Sequence, residues 1–577
     1  MNTIRKILFG KTTVLFIASI VLCTSFVSCD SFLEEKDIPR LTPAYYGTIA
    51  GVDAAATAAY SYMRWGAGNL ERFNSLTEYG TDLFTQGEDP GTWGAAFNQY
   101  GSQLNADASV LYALWENHYK AISTTNLVIQ QVEESTTMTD AQKQSSIAEM
   151  SFLRAYFYFD LVQQFGNIPL VLDVFFEVRT DFPRSPIAKI YEQIIQDLEY
   201  AVPILPERPT ATGRTCRYSA AHLLAKVYLT RGSAIQDPRG QQSTDMDNAL
   251  KYAKMVIESN QYELLSDFSA LWDIDNQRNR EVIFALQFTY DAVYNGDGNS
   301  FHLYWGSWYE DLPGMFRDIA NGRPFRRHRQ TERVMSEIFD RKNDSRFYKS
   351  FKWAYYANQV APGLSIGDTA IYYSINPAPE GSSYSYRYIA WNKTNLLDNN
   401  RYYPNLLKFL DPKRLAVGDE RGGREWVRMR LGETYLIAAE AAGRKGDYTT
   451  AVNYINVLRQ RAAWKQGEIK MPQYWREEGG QVGDTNSTYP EIELKEADIN
   501  TNFIDFILDE RGRELLGEMN RWEDLVRCEK LFEYVQKYNP DAFGLRPHHK
   551  LRPIPQRHID RLNPRGSMAE EQNEGYY

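Results

Sequence analysis

Two distant segments of the chain share one pattern, in which a helix, a short turn and a second helix follow one another. Residues 219–232 lead into residues 245–259, and residues 431–462 repeat the arrangement. Small residues recur at helical spacing in both segments: Ala221, Ala225, Ala249 and Ala253 in the first, Ala439, Ala442 and Ala451 in the second. Helices lined by small residues can approach closely, and such pairs bury their faces only by stacking on one another. The sequence therefore predicts a mainly α protein of tetratricopeptide-like helix pairs.

Further helices and one long irregular region complete this prediction. Apolar periodicity predicts helices at residues 111–132, 140–164, 187–198, 501–516 and 521–532. From Asn260 to Asp419, in contrast, Gly, Asn, Pro and Tyr cluster around short strand-like runs such as EVIFALQF. Long loops inside a compact protein are usually functional, so we expect binding or chemistry in these loop-rich, partly β excursions.

The beginning of the chain matches a bacterial lipoprotein signal. Basic residues precede an apolar run from Val14 to Val27, which is too short to predict a membrane span. The run ends at Ser28-Cys29, and a cysteine after a small residue at this point is where acyl chains are attached. We therefore predict a signal peptide of residues 1–28 and lipidation of Cys29. The alternative is a cleaved secretory signal with an incidental cysteine.

The net charge of the chain narrows the classes of ligand and partner that it can bind. The net charge of -10 and the pI near 5.5 leave no basic surface for nucleic acid, so a neutral ligand or a protein is expected. Beyond the leader, no apolar run approaches the ~20 residues of a membrane helix.

Once Cys29 is acylated and Cys23 is removed with the leader, Cys216 and Cys528 remain. An exported protein could pair them, but the sequence does not decide this.

Aromatic residues are the outlier of the composition, at 14% with 39 tyrosines and 12 tryptophans. Tyr and Trp combine a flat apolar surface with a polar edge, which suits a sugar ring with its hydroxyl groups. Most aromatic residues of helical proteins nevertheless fill cores. Composition alone therefore leaves both a glycan-binding surface and an aromatic core open.

Four motifs in a fixed order carry a family resemblance. The stretch from Ala148 to Val171, AEMSFLRAYFYFDLVQQFGNIPLV, comes first, and QYELLSDFSALWDI leading to NREVIFALQF comes second. DERGRELLGEMNRWEDLVR and the tail HHKLRPIPQRHIDRLNP follow. Together they resemble the SusD/RagB family, the surface-exposed nutrient-binding lipoproteins of Bacteroidetes. The chain departs from the family pattern at residues 518–520, where Gly-His is common before Arg-Trp, and this departure hardly affects the expected fold.

The resemblance implies a fold, a division of the chain and a partner. It implies a right-handed superhelix of tetratricopeptide-like helix pairs whose excursions form the glycan site. A SusD-like N-terminal region at residues 29–231 and a SusD/RagB C-terminal region at residues 245–577 would interleave in one helical fold. The implied partner is a SusC-type TonB-dependent transporter in the outer membrane, on which the protein would sit as a surface-exposed lid and deliver oligosaccharide.

Family members with known glycan sites use an early loop and the excursion after the EVIF-like strand. In the early loop, TDLFTQGEDPGTWGAAFNQY, Trp93 stands on turn-rich backbone, and Asn98 could both donate to and accept from sugar hydroxyls. The alternative is that Trp93 fills the helical core. In the second region, Tyr294, Trp305 and Trp308 surround the turn NGDGNS and could form a stacking arc. We expect these five residues to bind ligand, with at least one of the later three serving structure instead.

A third aromatic stretch carries Tyr384, Tyr386 and Tyr388 in alternation. This pattern fits a half-exposed strand as well as it fits a binding platform. We therefore leave it outside the predicted site.

Motifs for catalysis and for metal binding are weak. Neither HExxH nor a Gly-rich phosphate loop occurs, and His548-His549 has no partner cysteines at metal spacing. We therefore expect a non-catalytic glycan-binding lipoprotein without a cofactor. The alternative is a lid or interaction subunit of a transporter that imports peptide or another nutrient.

Overall fold

The computed structural model describes residues 43–68, 72–391, 400–480 and 486–577. The predicted signal peptide and the lipidation site Cys29 therefore lie outside the described residues. Within those ranges the protein is mainly α-helical, and the strands are short and concentrated between the helix pairs, which confirms the predicted fold class. None of the described helices combines the length and the apolarity that crossing a membrane requires.

The helices predicted at residues 111–132, 140–164, 187–198 and 501–516 are present, and the structure adds helices that the sequence analysis did not predict, such as the one at Ile49–Met63. In chain order the described helices are α1 (Ile49–Met63), α2 (Arg72–Thr77), α3 (Gly91–Trp93), α4 (Ser109–Glu134), α5 (Asp140–Phe165), α6 (Ile187–Ile204), α7 (Arg217–Ser233), α8 (Asp245–Ile257), α9 (Glu332–Ser336), α10 (Arg346–Ser350), α11 (Leu431–Arg444), α12 (Tyr448–Ala462), α13 (Pro472–Glu478), α14 (Tyr489–Ile492), α15 (Phe503–Glu514), α16 (Arg521–Arg527), α17 (Leu531–Tyr538), α18 (Gln556–Ile559) and α19 (Met568–Glu571). The helix predicted at 521–532 is instead two, α16 and α17, because the chain turns at Glu529, whose φ is 58°.

The two predicted helix pairs are α7 with α8 and α11 with α12. Their small residues are fully buried, as in Ala225, Ala253 and Ala439, so the helices pack at close range. The turn of the second pair needs Gly446, whose φ of 82° is strained for other residues, and the Asp447 side chain then caps α12. Helices α8 and α11 also pack on each other, which joins the chain before and after the long excursion.

Helix α5 is buried along most of its length because α4, α6 and α7 all pack against it. The Arg154 guanidinium donates to both carboxylate oxygens of Asp197 on α6, at 2.9 and 2.7 Å, and to Asn126 on α4, at 2.9 Å. A buried arginine needs such partners, since leaving it unpaired would be costly. This side chain thus fixes three helices of the superhelix.

The strands form four small sheets in the excursions. They are β1 (Phe84–Gln86), β2 (Val282–Leu286), β3 (His328–Gln330), β4 (Phe351–Lys352), β5 (Ala354–Tyr356), β6 (Thr369–Ser374), β7 (Arg387–Ala390), β8 (Asn405–Leu406) and β9 (Trp426–Arg430). Antiparallel pairs join β1 to β3, β2 to β9 and β4 to β8, and the fourth sheet has the order β5-β6-β7. The strand predicted at EVIFALQF is β2, and its pairing with β9 closes the base of the long excursion.

Cys216 and Cys528 are both buried free thiols. The Cys216 sulfur lies 3.5 Å from the Tyr262 hydroxyl, and the Cys528 sulfur lies 3.1 Å from an Arg444 nitrogen. The disulfide that the sequence left open is therefore not formed.

Candidate functional site

Trp93 is half-buried at the end of the short helix α3. Its ring packs towards Phe97, with the centroids 6.2 Å apart, and the residue remains partly exposed. The preceding loop is held by the Asp89 carboxylate, which accepts from the Gly91 amide at 3.1 Å. Trp93 is therefore part core and part surface, between the two alternatives that the sequence allowed.

Asn98 is fully buried and holds the early loop in place. Its side-chain oxygen accepts from the Gly80 amide at 3.0 Å and from Asn539 at 3.1 Å, and its amide nitrogen donates to the Thr85 hydroxyl at 3.2 Å. These bonds occupy the groups that were expected to bind sugar hydroxyls. In this structure the Asn98 side chain therefore supports the early loop.

Trp305 also belongs to the core, with 2% of its surface exposed. The indole lies between the rings of His328 and Phe409, at centroid distances of 4.5 and 5.1 Å, and the Phe84 ring meets its edge at 5.0 Å. Burial holds the pKa of His328 well below its usual value, so this imidazole is neutral. Trp305 is thus the structural member that we expected within its group.

Trp308, three residues on, is half-buried and flanked by two arginines. The Arg326 guanidinium lies 3.7 Å from the ring centroid and that of Arg401 lies 5.3 Å from it. A guanidinium over an indole face is held by the electron-rich ring, and both groups keep hydrogen-bonding edges for a further partner. Trp308 is the centre of a mixed aromatic and charged surface.

Carboxylates complete this surface. Glu88 accepts from Arg326 at 2.9 Å, and Asp311 forms an ion pair with Arg401. We refer to Glu88, Trp308, Asp311, Arg326 and Arg401 as the Trp308 cluster. The four charged side chains are each partly exposed, so the cluster opens to solvent.

Three donors of the Trp308 cluster are unused. The Trp308 Nε1, the Arg326 Nε and the Arg401 Nε atoms are buried and have no hydrogen-bond partner among the described residues. A buried donor without a partner costs about 1–3 kcal/mol, so acceptors supplied by a ligand would be favourable if these groups turned towards it. Arginine, carboxylate and indole side by side are the groups that bind polyhydroxylated molecules.

Tyr294, directly before the NGDGNS turn, is 76% exposed. The turn is held from below by Asn295, whose side chain donates to the Gly422 carbonyl at 2.9 Å, and by the ion pair of Asp297 with Arg72 at 3.3 Å. Within the described structure no hydrogen bond or ring contact joins Tyr294 to the other four predicted residues. The expected stacking arc is therefore not continuous.

A second aromatic surface, which the sequence left undecided, is formed by Tyr372, Tyr384, Tyr386 and Tyr388, the tyrosine cluster. The Tyr384 ring is stacked on that of Tyr388, with centroids 5.1 Å apart and planes at 13°, and lies 4.9 Å from that of Tyr386. Tyr372 lies 5.6 Å from Tyr388. Only Tyr388 and Tyr372 belong to strands, so alternation within one strand could not have revealed this assembly.

Helix α13 borders the tyrosine cluster with two charged side chains. Arg476 donates to the Tyr386 hydroxyl at 3.3 Å and lies 4.7 Å from the Tyr372 ring centroid, and Glu477 accepts from the Tyr372 hydroxyl at 3.0 Å. Burial raises the pKa of Tyr372, so its hydroxyl remains protonated and donates.

No group suited to metal binding stands out. Among the described residues, no three His, Cys, Asp or Glu side chains are grouped so that they could hold an ion. His549 is buried and accepts from the Arg546 amide at 2.9 Å, and His548 lies against the Tyr576 ring at 5.0 Å. This pair packs in the C-terminal tail.

Two family models match the chain. The model described as SusD family matches residues 274–576, and the one described as starch-binding associating with outer membrane matches residues 65–229. Among curated proteins, SusD-like protein P25 of Formosa agariphila is 24% identical, with 97% of this chain and 99% of that protein aligned.

Solved structures share the fold over nearly the whole chain. A laminarin binding SusD-like protein matches with a TM-score of 0.65 at 22% identity, covering 91% of this chain and 99% of its own. A SusD homolog from Bacteroides thetaiotaomicron matches with a TM-score of 0.68 at 20% identity, covering 93% and 99%. At such identities the likeness establishes the fold alone.

Proposed function

Because this chain belongs to the SusD family, we propose that it is a non-catalytic glycan-binding protein, anchored to the cell surface by a lipid on Cys29, that delivers glycan to a SusC-type TonB-dependent transporter. The ligand class is supported by the starch-binding description of the model over residues 65–229 and by the laminarin binding protein of the same fold. The same description supports the outer membrane as the location.

The observation that carries the ligand class is the Trp308 cluster. A sugar ring has an apolar C–H face, which suits the indole, and hydroxyl groups that can accept from arginine and donate to carboxylate. The cluster offers all three kinds of group within one partly exposed surface, and it retains unused donors.

The other four predicted residues have different roles in this proposal. Trp93 follows Glu88 on the same loop, and we assign it to the rim of the site. Tyr294 is available to a longer glycan from its separate turn. Asn98 and Trp305 are assigned supporting roles, because both side chains are buried.

The test is binding of the purified protein to laminarin, starch and other plant, host and microbial polysaccharides, measured by calorimetry. We expect one class to bind, and Trp308→Ala and Arg401→Gln each to weaken that binding about tenfold, which corresponds to about 1.4 kcal/mol. Arg179→Gln is the matched control, because Arg179 is also 39% exposed and also paired with an aspartate. Circular dichroism confirms that each variant is folded.

Two results would contradict the proposal. If no polysaccharide binds, glycan is not the cargo, and binding of a peptide library would instead favour the alternative of a peptide-importing lid. If the protein releases reducing sugars from a polysaccharide, it is not a purely binding protein.

A further inference from the structure

We propose that the tyrosine cluster is a second carbohydrate-binding surface, separate from the Trp308 cluster, which takes a neutral oligosaccharide or a stretch of polysaccharide. The inference rests on the proposed function, because it extends the same ligand class to a second place on the protein.

The two clusters lie on opposite faces of the β5-β6-β7 sheet. Parallel pairing sets Tyr372 beside Tyr388 and Tyr373 beside Ile389. Since successive side chains of a strand point to opposite faces, Tyr372 and Tyr388 share one face and Tyr373 and Ile389 share the other. The Tyr373 hydroxyl lies 2.9 Å from that of Ser307, the residue before Trp308. The sheet therefore separates the two aromatic surfaces.

The chain between β6 and β7 assembles the cluster. Residues 375–386 carry Pro, Gly and Ser and are largely exposed, and they return across the sheet face that holds Tyr372 and Tyr388. This crossover places Tyr384 and Tyr386 beside the strand tyrosines. The result is a row of rings whose base is buried and whose outer members reach solvent.

The outermost ring of the row is that of Tyr384. Tyr384 is 37% exposed, and its hydroxyl makes no hydrogen bond to a described residue. Single exposed rings are common on protein surfaces, but rings that are grouped and partly exposed mark a binding surface more often. They present both an apolar surface and a hydroxyl, which is the combination that a sugar ring matches.

The border of the row is polar but nearly neutral in charge. Arg476 is exposed, makes no ion pair within the described residues, and directs donors along the cluster. Glu477 is occupied by Tyr372 and by the Asn376 amide, at 3.0 and 2.8 Å. One positive and one negative side chain give no preference for a polyanion, so a neutral glycan fits better than a charged one.

The experiment uses laminarin and starch as polymers, and laminarihexaose and maltohexaose as short ligands. In the double variant Tyr384→Ala with Tyr386→Ala we expect polymer binding about tenfold weaker, from the loss of two stacking rings. The stoichiometry that calorimetry measures with the matching hexasaccharide should fall from two bound molecules per protein to one. Tyr200→Ala is the control, because Tyr200 on α6 has the same exposed fraction, 37%.

A further variant separates this inference from the proposed function. Arg401→Gln should weaken glycan binding at the Trp308 cluster and leave binding at the tyrosine cluster unchanged. Adding Tyr384→Ala and Tyr386→Ala to this variant should remove the remaining binding. If the wild-type protein binds glycan and the tyrosine variant keeps its affinity and stoichiometry, the second surface is refuted while the proposed function stands. If no glycan binds to the wild-type protein, the proposed function and the second binding surface are both refuted. If the tyrosine variant binds glycan normally but no longer co-purifies with the transporter, the surface is a protein interface and the inference is overturned.

Discussion

One buried carboxyl group, that of Glu523, lacks a full set of hydrogen-bond partners. Glu523 on α16 is buried, and its Oε1 atom has no hydrogen-bond partner among the described residues. Burial, together with the nearby Asp160 carboxylate, raises the pKa of Glu523 to about 7, although Lys226 and Arg428 act in the opposite direction. The folded protein therefore holds a proton that an ordinary glutamate would have lost.

This proton makes stability depend on pH. From the ordinary value of 4.5 up to about 7, the unfolded chain releases the proton while the folded protein retains it. The stabilising contribution of the neutral form is thus complete below about pH 4.5, is lost as pH rises through 7, and changes little above that. We expect Glu523→Gln to be roughly as stable as the wild type at pH 5 and about 3 kcal/mol more stable at pH 8.

Urea unfolding at the two pH values measures this difference. The exposed Glu192→Gln should show no such change, because its side chain is 62% exposed in a surface pair with Lys189. An equal stability difference between wild type and Glu523→Gln at both pH values would show that Glu523 is ionised in the folded protein.

The carboxylate of Glu514 joins four elements of secondary structure. Glu514 on α15 accepts from Arg346 of α10 at 2.9 Å and from Arg430 of β9 at 2.7 Å, and it also pairs with Arg461 of α12. Burial alone would raise the pKa of Glu514, but the three arginines hold it well below its usual value. The network fixes the excursion strand β9 and the short helix α10 to the helices α12 and α15.

Removing this charge should be among the most damaging single changes. Glu514→Gln keeps the shape but leaves three buried arginines short of a counter-charge, and we expect a loss of about 3–5 kcal/mol in the free energy of unfolding. Denaturant unfolding at neutral pH checks the value, with Glu192→Gln again as the surface control. A loss below about 1 kcal/mol would show that the neighbouring carboxylates compensate for Glu514.

The helices could be predicted from sequence, whereas the aromatic surfaces could not. Apolar residues at helical spacing are a local signal, so α4 and α5 were located to within a turn. Whether a loop tryptophan is exposed depends on what packs over it, and Trp305 is covered by His328 and Phe409 from later in the chain. The tyrosine cluster likewise depends on α13, which lies far away in sequence. Long-range packing, not residue type, decided which aromatic residues reach solvent.

At the scale of the whole molecule, the proposed role needs a binding body on a membrane tether. The body has two aromatic surfaces separated by a sheet, and none of its described helices could cross a membrane. The tether in this proposal is the predicted lipid on Cys29, and the family model described as associating with outer membrane supports a membrane location. Several acyl chains on one cysteine hold a protein far more firmly than a single chain does.

Cys29→Ser should therefore release the protein from the membrane without affecting its fold. We expect the wild-type protein to sediment with outer membranes and to be labelled by antibody on intact cells, and the Cys29→Ser protein to be lost from both. Cys216→Ser is the matched control, because Cys216 is a buried free thiol in the folded body and its loss should leave attachment unchanged. Retention of the Cys29→Ser protein at the membrane would mean that a lipid on Cys29 is not the anchor.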